Sequence, residues 1–290
     1  MSRNNEERTG THSTHSEPPP QIVQEQLANF NQSNSLAFVV PTEFVELPSR
    51  GLLYVEGHPL HNQECVEIKH MTAKEEDILS DKALLKKGLA IDRFLRSIII
   101  NRDIKVDSLL VGDKNAILVA ARINGYGAEY DTKVICPVCF SHGRHTFNLD
   151  KQEINSFTQL EELGVQQTQQ ATFVFGLPKS GVEIECRLLT GVEEKKLTQT
   201  AEKRKKQKLP SRDFTAQLRT IIVSVDGSEE SSFINSFVEN MPAADSRHLR
   251  STYQKCVPNV ELKDAFTCDE CGGETELEVP FTTDFFWPNT

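Results

Sequence analysis

Four of the seven cysteines form two Cys-x-x-Cys pairs, a spacing that is typical of zinc ligands. The pairs are Cys136 with Cys139 and Cys268 with Cys271. A structural zinc ion binds four ligands in tetrahedral geometry, and this spacing lets one tight turn present two thiolates. Strand-like segments lie beside each pair, and two such knuckles make a zinc ribbon. We therefore predict one structural zinc ion per chain, bound by all four cysteines.

Other chemistry for these cysteines is less favoured. His142 and His145 follow the first pair and would complete a compact site, but that site leaves the second pair unexplained. A thioredoxin-type redox pair lies where a strand meets the start of a helix, whereas strand-like segments flank both pairs here. A catalytic zinc ion needs an open coordination position, which four thiolates do not leave. The remaining thiols are expected to be buried and structural, and they are Cys65, Cys186 and Cys256.

The segments before the two pairs repeat the same landmarks in the same order, which predicts an internally duplicated unit. Asp245 follows Asp113 at the same offset as Cys268 follows Cys136. The other matched landmarks are 95–99 with 218–222, 72–76 with 190–194, 66–68 with 182–184, and Leu47, Pro48 and Gly51 with Leu177, Pro178 and Gly181. We expect a first repeat at 37–150 and a second at 171–290. An approximate two-fold rotation would relate them, and the shared zinc ribbon would join them.

Short strands and helices must position these knuckles, so we expect an α+β fold. Thr72 with Glu75 and Thr190 with Glu193 match the capping box that begins a helix, in which each side chain satisfies a backbone N–H of the other residue. Residues 89–100 have the i, i+3, i+4 spacing of an amphipathic helix. The stretch 151–170 is polar and Gln-rich, and we expect it to be a linker between the repeats.

Composition and charge disfavour some functional classes. The chain has 290 residues, a net charge of −10 and a pI near 5.4, whereas a nucleic-acid binder derives much of its affinity from Lys and Arg that neutralise phosphates. No apolar run approaches the ~20 residues that span a bilayer. The odd cysteine count with Cys-x-x-Cys pairs favours a reduced compartment over disulfides. Residues 1–36 are polar and contain a triple proline, so we expect a disordered N-terminal tail.

Two further segments could bind partners. The run 203–208 is strongly basic, as in a nucleic-acid patch, but a solvated helix end that complements the helix dipole is the favoured interpretation. The C-terminal aromatic residues are predicted to bind a partner protein, because Trp and Phe often anchor interfaces. A role in the core is the open alternative. These aromatic residues are Phe281, Phe285, Phe286 and Trp287.

Several motifs together carry a resemblance to one protein family. They are LPSRG at 47–51 followed by Leu53 and Tyr54, KHMTAKEED at 69–77, LLVGDKNA at 109–116, AARI at 120–123 with GYG at 125–127, CPVC at 136–139, and VP at 279–280 with FFWP at 285–288. The chain, over about 40–288, resembles the baseplate hub subunit family of T-even-like contractile-tailed phages and cyanophages.

The resemblance implies a structural protein of the tail baseplate hub, present in the virion and assembled in the host cytoplasm. Its implied partners are other baseplate, hub and tail-tube proteins. The composition and charge described above argue against a membrane partner and disfavour a nucleic acid. The family carries no catalytic residues, and the chain has no HExxH, Walker, GxSxG or GxGxxG motif, so we expect no enzyme activity. Two alternatives stay open, a tail assembly factor that is not retained in the virion and a nucleic-acid-binding zinc-ribbon protein.

Overall fold

The computed structural model describes residues 40–151, 153–155, 160–279 and 283–286. Residues from Val40 onward belong to one compact unit. The N-terminal tail expected at 1–36 lies outside the described residues, as does part of the linker expected at 151–170. Within the described ranges, no helix is long and apolar enough to cross a membrane.

The described residues combine eight α-helices with twelve short strands, which confirms the predicted α+β class. The helices are α1 (Ala73–Ser80), α2 (Lys82–Lys86), α3 (Ala90–Ile98), α4 (Val111–Tyr126), α5 (Gly191–Lys206), α6 (Asp213–Ile221), α7 (Ser231–Asn240) and α8 (Ala243–Cys256). The strands are β1 (Thr42–Glu46), β2 (Cys65–Lys69), β3 (Glu129–Ile135), β4 (His142–Asn148), β5 (Glu153–Asn155), β6 (Gln166–Gln167), β7 (Thr172–Gly176), β8 (Glu183–Arg187), β9 (Ile222–Val225), β10 (Asn259–Glu261), β11 (Lys263–Thr267) and β12 (Glu274–Glu278).

The paired strands are antiparallel and form small sheets. Four sheets have two strands each, namely β1 with β2, β3 with β4, β5 with β10 and β11 with β12, and a fifth has the order β6-β7-β8-β9. The strand β5 lies inside the stretch expected to be a linker, yet it pairs with β10 near the other end of the chain. This stretch therefore contributes to the fold as well as connecting its halves.

Two capping boxes begin α1 and α5, as the Thr-x-x-Glu spacing predicts. The carboxylate of Glu75 accepts the backbone N–H of Thr72 at 3.0 Å. The carboxylate of Glu193 accepts the backbone N–H of Thr190 at 3.1 Å. In each case the box satisfies an N–H that the helix itself cannot pair. Both helices start immediately after their threonine, at the boundaries that the sequence indicates.

Two buried aspartates tie a long helix in each half to the turn of the preceding hairpin. Asp113 in α4 accepts the backbone N–H of Ser49 at 3.0 Å and its hydroxyl at 2.6 Å. Asp245 in α8 accepts the backbone N–H groups of Lys179 at 2.7 Å and Ser180 at 2.9 Å. Both side chains are fully buried, and both satisfy turn donors that would otherwise lack partners.

The order of elements is similar in the two halves. A hairpin (β1–β2 or β7–β8) precedes a capped helix (α1 or α5), an amphipathic helix (α3 or α6), a longer helix (α4 or α8) and a second hairpin (β3–β4 or β11–β12). After the amphipathic helix, Ile99 bridges to Ile68 of β2, and Ile222 of β9 pairs with Cys186 of β8. Two helices lack a counterpart, since α2 occurs only in the first half and α7 only in the second, and the strands β6, β9 and β10 have no matching strand in the first half.

One buried cluster of apolar side chains connects both halves. Ile68, Phe94 and Ile117 contribute from the first half, and Phe173 and Leu249 contribute from the second. Burying such side chains is the main favourable term in folding, at roughly 1.5–3 kcal/mol each. The hairpins that carry the cysteines therefore extend from a common core.

The expectation that Cys65, Cys186 and Cys256 are buried is wrong for Cys65. Cys186 and Cys256 are fully buried, whereas Cys65 is exposed. In β2, Val66 and Ile68 face the core, and side chains alternate along a strand. Cys65 therefore points outward at the start of this strand.

Candidate metal centre

The four paired cysteines lie at the tips of two hairpins. Cys136 and Cys139 lie in the turn that connects β3 to β4, and Cys268 and Cys271 lie in the turn that connects β11 to β12. The two hairpins contact each other through β4 and β11. Each pair is thus flanked by strands, which is the setting of a zinc knuckle and not that of a thioredoxin-type redox pair.

The backbone holds the two turns in the same conformation. Phe140 donates its N–H to the carbonyl of Cys136 at 2.9 Å, and Gly272 donates to that of Cys268 at 2.8 Å. Cys136 donates to the carbonyl of Ser141 at 2.9 Å, and Cys268 donates to that of Gly273 at 3.0 Å. These matched hydrogen bonds fix both cysteines of each pair on one side of the turn.

Each turn requires a left-handed residue directly after its second cysteine. The φ angle is +61° at Phe140 and +66° at Gly272. Glycine adopts this conformation without cost, whereas an L-residue with a side chain loses roughly 1–2 kcal/mol. The Phe140 ring is also 74% exposed, so little burial offsets the strain there.

The spacing of the sulfur atoms matches a tetrahedral ion. All four Sγ atoms lie within 4.8 Å of one another. Cys136 Sγ is 3.9 Å from Cys271 Sγ, and Cys139 Sγ is 3.7 Å from Cys268 Sγ. Zinc–sulfur bonds of ~2.3 Å in tetrahedral geometry separate the sulfurs by about 3.8 Å, whereas a disulfide requires ~2.05 Å. The four cysteines could therefore bind one metal ion.

Repulsion among the deprotonated sulfurs also favours a bound cation. The Ser141 hydroxyl, 3.0 Å from Cys139 Sγ and 3.3 Å from Cys268 Sγ, lowers the pKa of both thiols, that of Cys268 to about 6. The Gly273 backbone N–H lowers the pKa of Cys271, but the neighbouring thiols and desolvation together raise it to about 12. The four sulfurs cannot all be thiolates without strong repulsion, which a cation among them would relieve.

The two histidines near the first pair lie apart from this group. Among the described residues, the only cluster of metal-binding side chains at this position consists of the four cysteines. The ring of His145 instead packs edge-on against Phe147 and Phe266, with centroid distances of 4.6 and 5.6 Å. Its Nε2 atom lies 3.5 Å from a carboxylate oxygen of Asp264. The geometry thus supports the shared four-cysteine set over a compact set with histidines.

The site is half covered by protein. Cys136 and Cys268 are buried, and Cys139 and Cys271 are exposed. The Val138 N–H points at Cys136 Sγ at 3.4 Å, a contact that stabilises negative charge on the sulfur. Because four thiolates complete a tetrahedral shell, a metal here would have no open position for a substrate. Its role would be to hold the two hairpins together.

Two of the four C-terminal aromatic residues lie in the core. Phe285 and Phe286 are buried. The Phe286 ring lies 5.0 Å from that of Phe94, and the Phe285 ring lies 5.3 Å from that of Tyr130. These contacts fit the core alternative for Phe285 and Phe286. Phe281 and Trp287 lie outside the described residues, so the partner contacts expected of this segment stay a prediction.

Sequence reasoning missed two residues that shape this region. Arg122 is buried and donates from Nε to the carbonyl of Phe285 at 2.8 Å and from its terminal nitrogens to the carbonyls of Gly127 and Glu129. The signal in the sequence was its position among the apolar residues of the motif AARI, because the helix α4 buries Ala121 and Arg122 together. Ser141 contacts two sulfurs, and nothing in its local sequence indicates this.

The comparisons with known proteins identify one family. The family model described as T4 bacteriophage base plate protein matches residues 54–287. This range includes all four paired cysteines, both capping boxes and both buried aspartates. No curated protein and no solved structure matches the chain. A baseplate family suggests a structural, non-enzymatic component of the virion tail whose partners are other phage tail proteins. The match covers well over half of the sequence, and the chain therefore belongs to the T4 bacteriophage base plate protein family.

Proposed function

We propose that the chain is a structural subunit of the baseplate hub in a contractile phage tail, where it acts by binding neighbouring tail proteins. The observation that carries the baseplate role is the family match over 54–287. The hub position is supported by the motif resemblance of 47–54, 69–77 and 109–127. Assembly in the host cytoplasm, before the tail is complete, is part of the same proposal.

A structural zinc ion would hold the two cysteine hairpins of the subunit together as a zinc ribbon. Its ligands would be Cys136, Cys139, Cys268 and Cys271. The support is the sulfur spacing of 3.7 and 3.9 Å between the two pairs. In the chain-entropy model, a link that closes a loop of about 130 residues stabilises the folded state by about 5 kcal/mol. A rigid subunit is useful in a baseplate, because contacts then cost less ordering entropy on assembly.

The two halves are proposed to be copies of one duplicated unit, 37–150 and 171–290, with an approximate two-fold axis through the metal. The shared order of elements supports this, as do the matched contacts of Asp113 and Asp245 and the matched turns at the cysteines. Superposing an experimental structure of one half on the other tests the idea. Strands and helices that fail to coincide after a rotation near 180° would refute the duplication.

The baseplate role is tested by locating the protein in purified virions. Mass spectrometry of intact particles should detect the chain, and a cryo-EM map of the tail tip should contain its density at the hub. A chain that is abundant in infected cells but missing from particles would instead be an assembly factor. Infectious tails formed without the protein would defeat both forms of the proposal.

Zinc binding is tested separately from the position of the protein in the virion. Elemental analysis of the purified chain should give one zinc per molecule, and mass spectrometry after denaturation with a chelator should show all seven cysteines as free thiols, the four paired ones included. A disulfide within either pair, or a metal-free folded chain, would remove the zinc from the proposal without affecting the baseplate role.

A further inference from the structure

A cluster of basic side chains, which we name the basic tip, lies in the second half. It comprises the last turn of α5 and the loop that leads to α6, and its basic residues are Lys203, Arg204, Lys205, Lys206, Lys208 and Arg212. Five of these side chains are exposed and Arg204 is half-buried. The segment 203–212 contains no acidic residue. Within the described residues, none of the six side chains forms an ion pair with a carboxylate.

The helix dipole accounts for only part of this charge. Cations stabilise the last turn of a helix, and α5 ends at Lys206. Lys208 and Arg212 lie beyond that turn, and Arg204 donates to the carbonyl of Pro210, which folds the loop back on the helix end. The basic tip therefore carries more positive charge than interaction with the helix dipole explains.

A surface of opposite charge lies on the hairpin β11–β12. The segment 261–278, which we name the acidic hairpin, has seven acidic residues and one lysine. Glu274, Glu276 and Glu278 alternate along β12 and are exposed, so their carboxylates share one face. Lys263, the lysine opposite Glu278, already pairs with Glu261 at 2.8 Å. The net charges of the basic tip and the acidic hairpin are therefore equal in size and opposite in sign.

We propose that the basic tip of one copy of the chain docks on the acidic hairpin of a second copy. Both surfaces are exposed, and in the described part of the chain no ion pair joins them to each other. A contact between two different surfaces of identical subunits is heterologous, and repeated contacts of this kind build rings or open chains. The inference goes beyond the proposed function, and self-association of the purified chain tests it independently of any virion.

A second copy fits the tip better than a nucleic acid does. With six positive charges on the tip, the rest of the chain carries a net charge well below −10, which repels phosphates. A nucleic-acid surface usually extends the basic charge along a face or groove. The chain supplies its own complementary acidic surface in the acidic hairpin.

The first test is the salt dependence of self-association by the full-length, zinc-loaded chain. Single exposed ion pairs are weak, so sedimentation velocity should be run up to roughly 100 µM protein, where weak complexes become populated. We expect oligomers in 50 mM salt that dissociate in 500 mM salt, because the Debye length falls to about 4 Å. A chain that remains monomeric throughout this range in 50 mM salt would overturn the proposal.

The second test reverses the charge of two residues on each surface, which lowers the net charge of the tip from +6 to +2 and changes that of the hairpin from −6 to −2. Lys205→Glu with Lys206→Glu changes the tip, and Glu274→Lys with Glu276→Lys changes the hairpin. Each double variant alone should associate at least about tenfold more weakly. An equal mixture should associate again, because the unchanged tip of the hairpin variant can dock on the unchanged hairpin of the tip variant. Failure of the mixture to recover, with both variants folded by circular dichroism and containing zinc, would refute the pairing.

A matched control separates local contact from total charge. Lys86→Glu with Lys87→Glu makes the same change in net charge at an exposed site at the end of α2. This variant should associate like the parent chain, and an equal loss would show that only total charge matters. Binding of duplex DNA at 150 mM salt that depends on Lys205 and Lys206, without self-association, would assign the tip to nucleic acid and would also overturn the proposal.

Discussion

The Sγ atom of Cys139 lies 3.7 Å from the Sγ atom of Cys268, although the two residues belong to opposite halves of the chain. Neither cysteine pair can complete a four-coordinate site alone. The stability of both halves is therefore expected to depend on each pair, and damage to one knuckle should weaken the whole subunit.

Cys268→Ser should abolish stoichiometric zinc binding and lower the free energy of unfolding by about 3–5 kcal/mol, since it removes the link between the halves. Elemental analysis and urea unfolding measure the two effects. Cys65→Ser is the matched control, because this thiol is exposed and lies outside the cluster. Equal loss of zinc in both variants would contradict the assignment.

Phe140→Gly should raise the free energy of unfolding by up to about 1 kcal/mol, because glycine accepts the left-handed conformation that strains phenylalanine. Gly272→Ala at the matched position should lower it by about 1 kcal/mol. Open space surrounds Gly272, so backbone strain alone would act there. Urea unfolding of zinc-loaded protein gives both values. A loss of stability in Phe140→Gly would show that the exposed ring makes contacts that outweigh its strain.

Glu75 should make stability depend on pH in the acid range. Burial raises the pKa of Glu75, but hydrogen bonds from Lys69, Ser97 and Thr72 outweigh it and lower the pKa to about 2. Because the folded pKa lies below the unfolded one, the stabilisation is complete above about pH 5 and is lost as pH falls towards 2. Glu75→Gln should thus cost about 3 kcal/mol at pH 7 and less than half as much at pH 3.

Glu193→Gln is the natural comparison for Glu75→Gln. Glu193 forms the same capping box, but among the described residues it has no lysine partner such as Lys69. Its substitution should therefore cost less than that of Glu75 at pH 7. Chemical unfolding at pH 7 and at pH 3 measures both variants. An equal cost of Glu75→Gln at both pH values would show that packing, not charge, dominates at this site.

Phe286→Ala should destabilise the chain by about 3–4 kcal/mol, because it leaves a cavity beside Phe94. Phe44→Ala removes the same group from a side chain that is 74% exposed and should change stability by less than about 0.5 kcal/mol. Trp287→Ala is expected to retain stability and to lower incorporation into tails, measured by mass spectrometry of particles. Unchanged stability in Phe286→Ala would argue against the core role.

Local chemistry explains what could be predicted from the sequence. The capping boxes follow from Thr72 and Glu75, three residues apart, and the knuckles follow from the spacing of Cys136 and Cys139. Such features depend on a few neighbouring residues, so their geometry follows from their spacing. The pairing of the two knuckles needed a further inference, which came from the repeated landmarks.

The features that could not be predicted from the sequence depend on contacts between segments that are distant along the chain. The pairing of β5 with β10 joins segments that share no local signal. Phe285 is buried, and Arg122 donates to its carbonyl from a helix that is distant in sequence. The outward position of Cys65 depends on which face of β2 meets the core, and a single shift of register would reverse it.

Because the cysteines are divided between two hairpins, the two pairs are synthesised at different times. Cys136 and Cys139 leave the ribosome about 130 residues before Cys268, which at 5–20 residues per second corresponds to a delay of roughly 7–26 s. During that interval the first hairpin can offer a metal only half of its ligands. A metal ion bound by all four cysteines would therefore require synthesis of the second hairpin, and a chain truncated before Cys268 could not form this site.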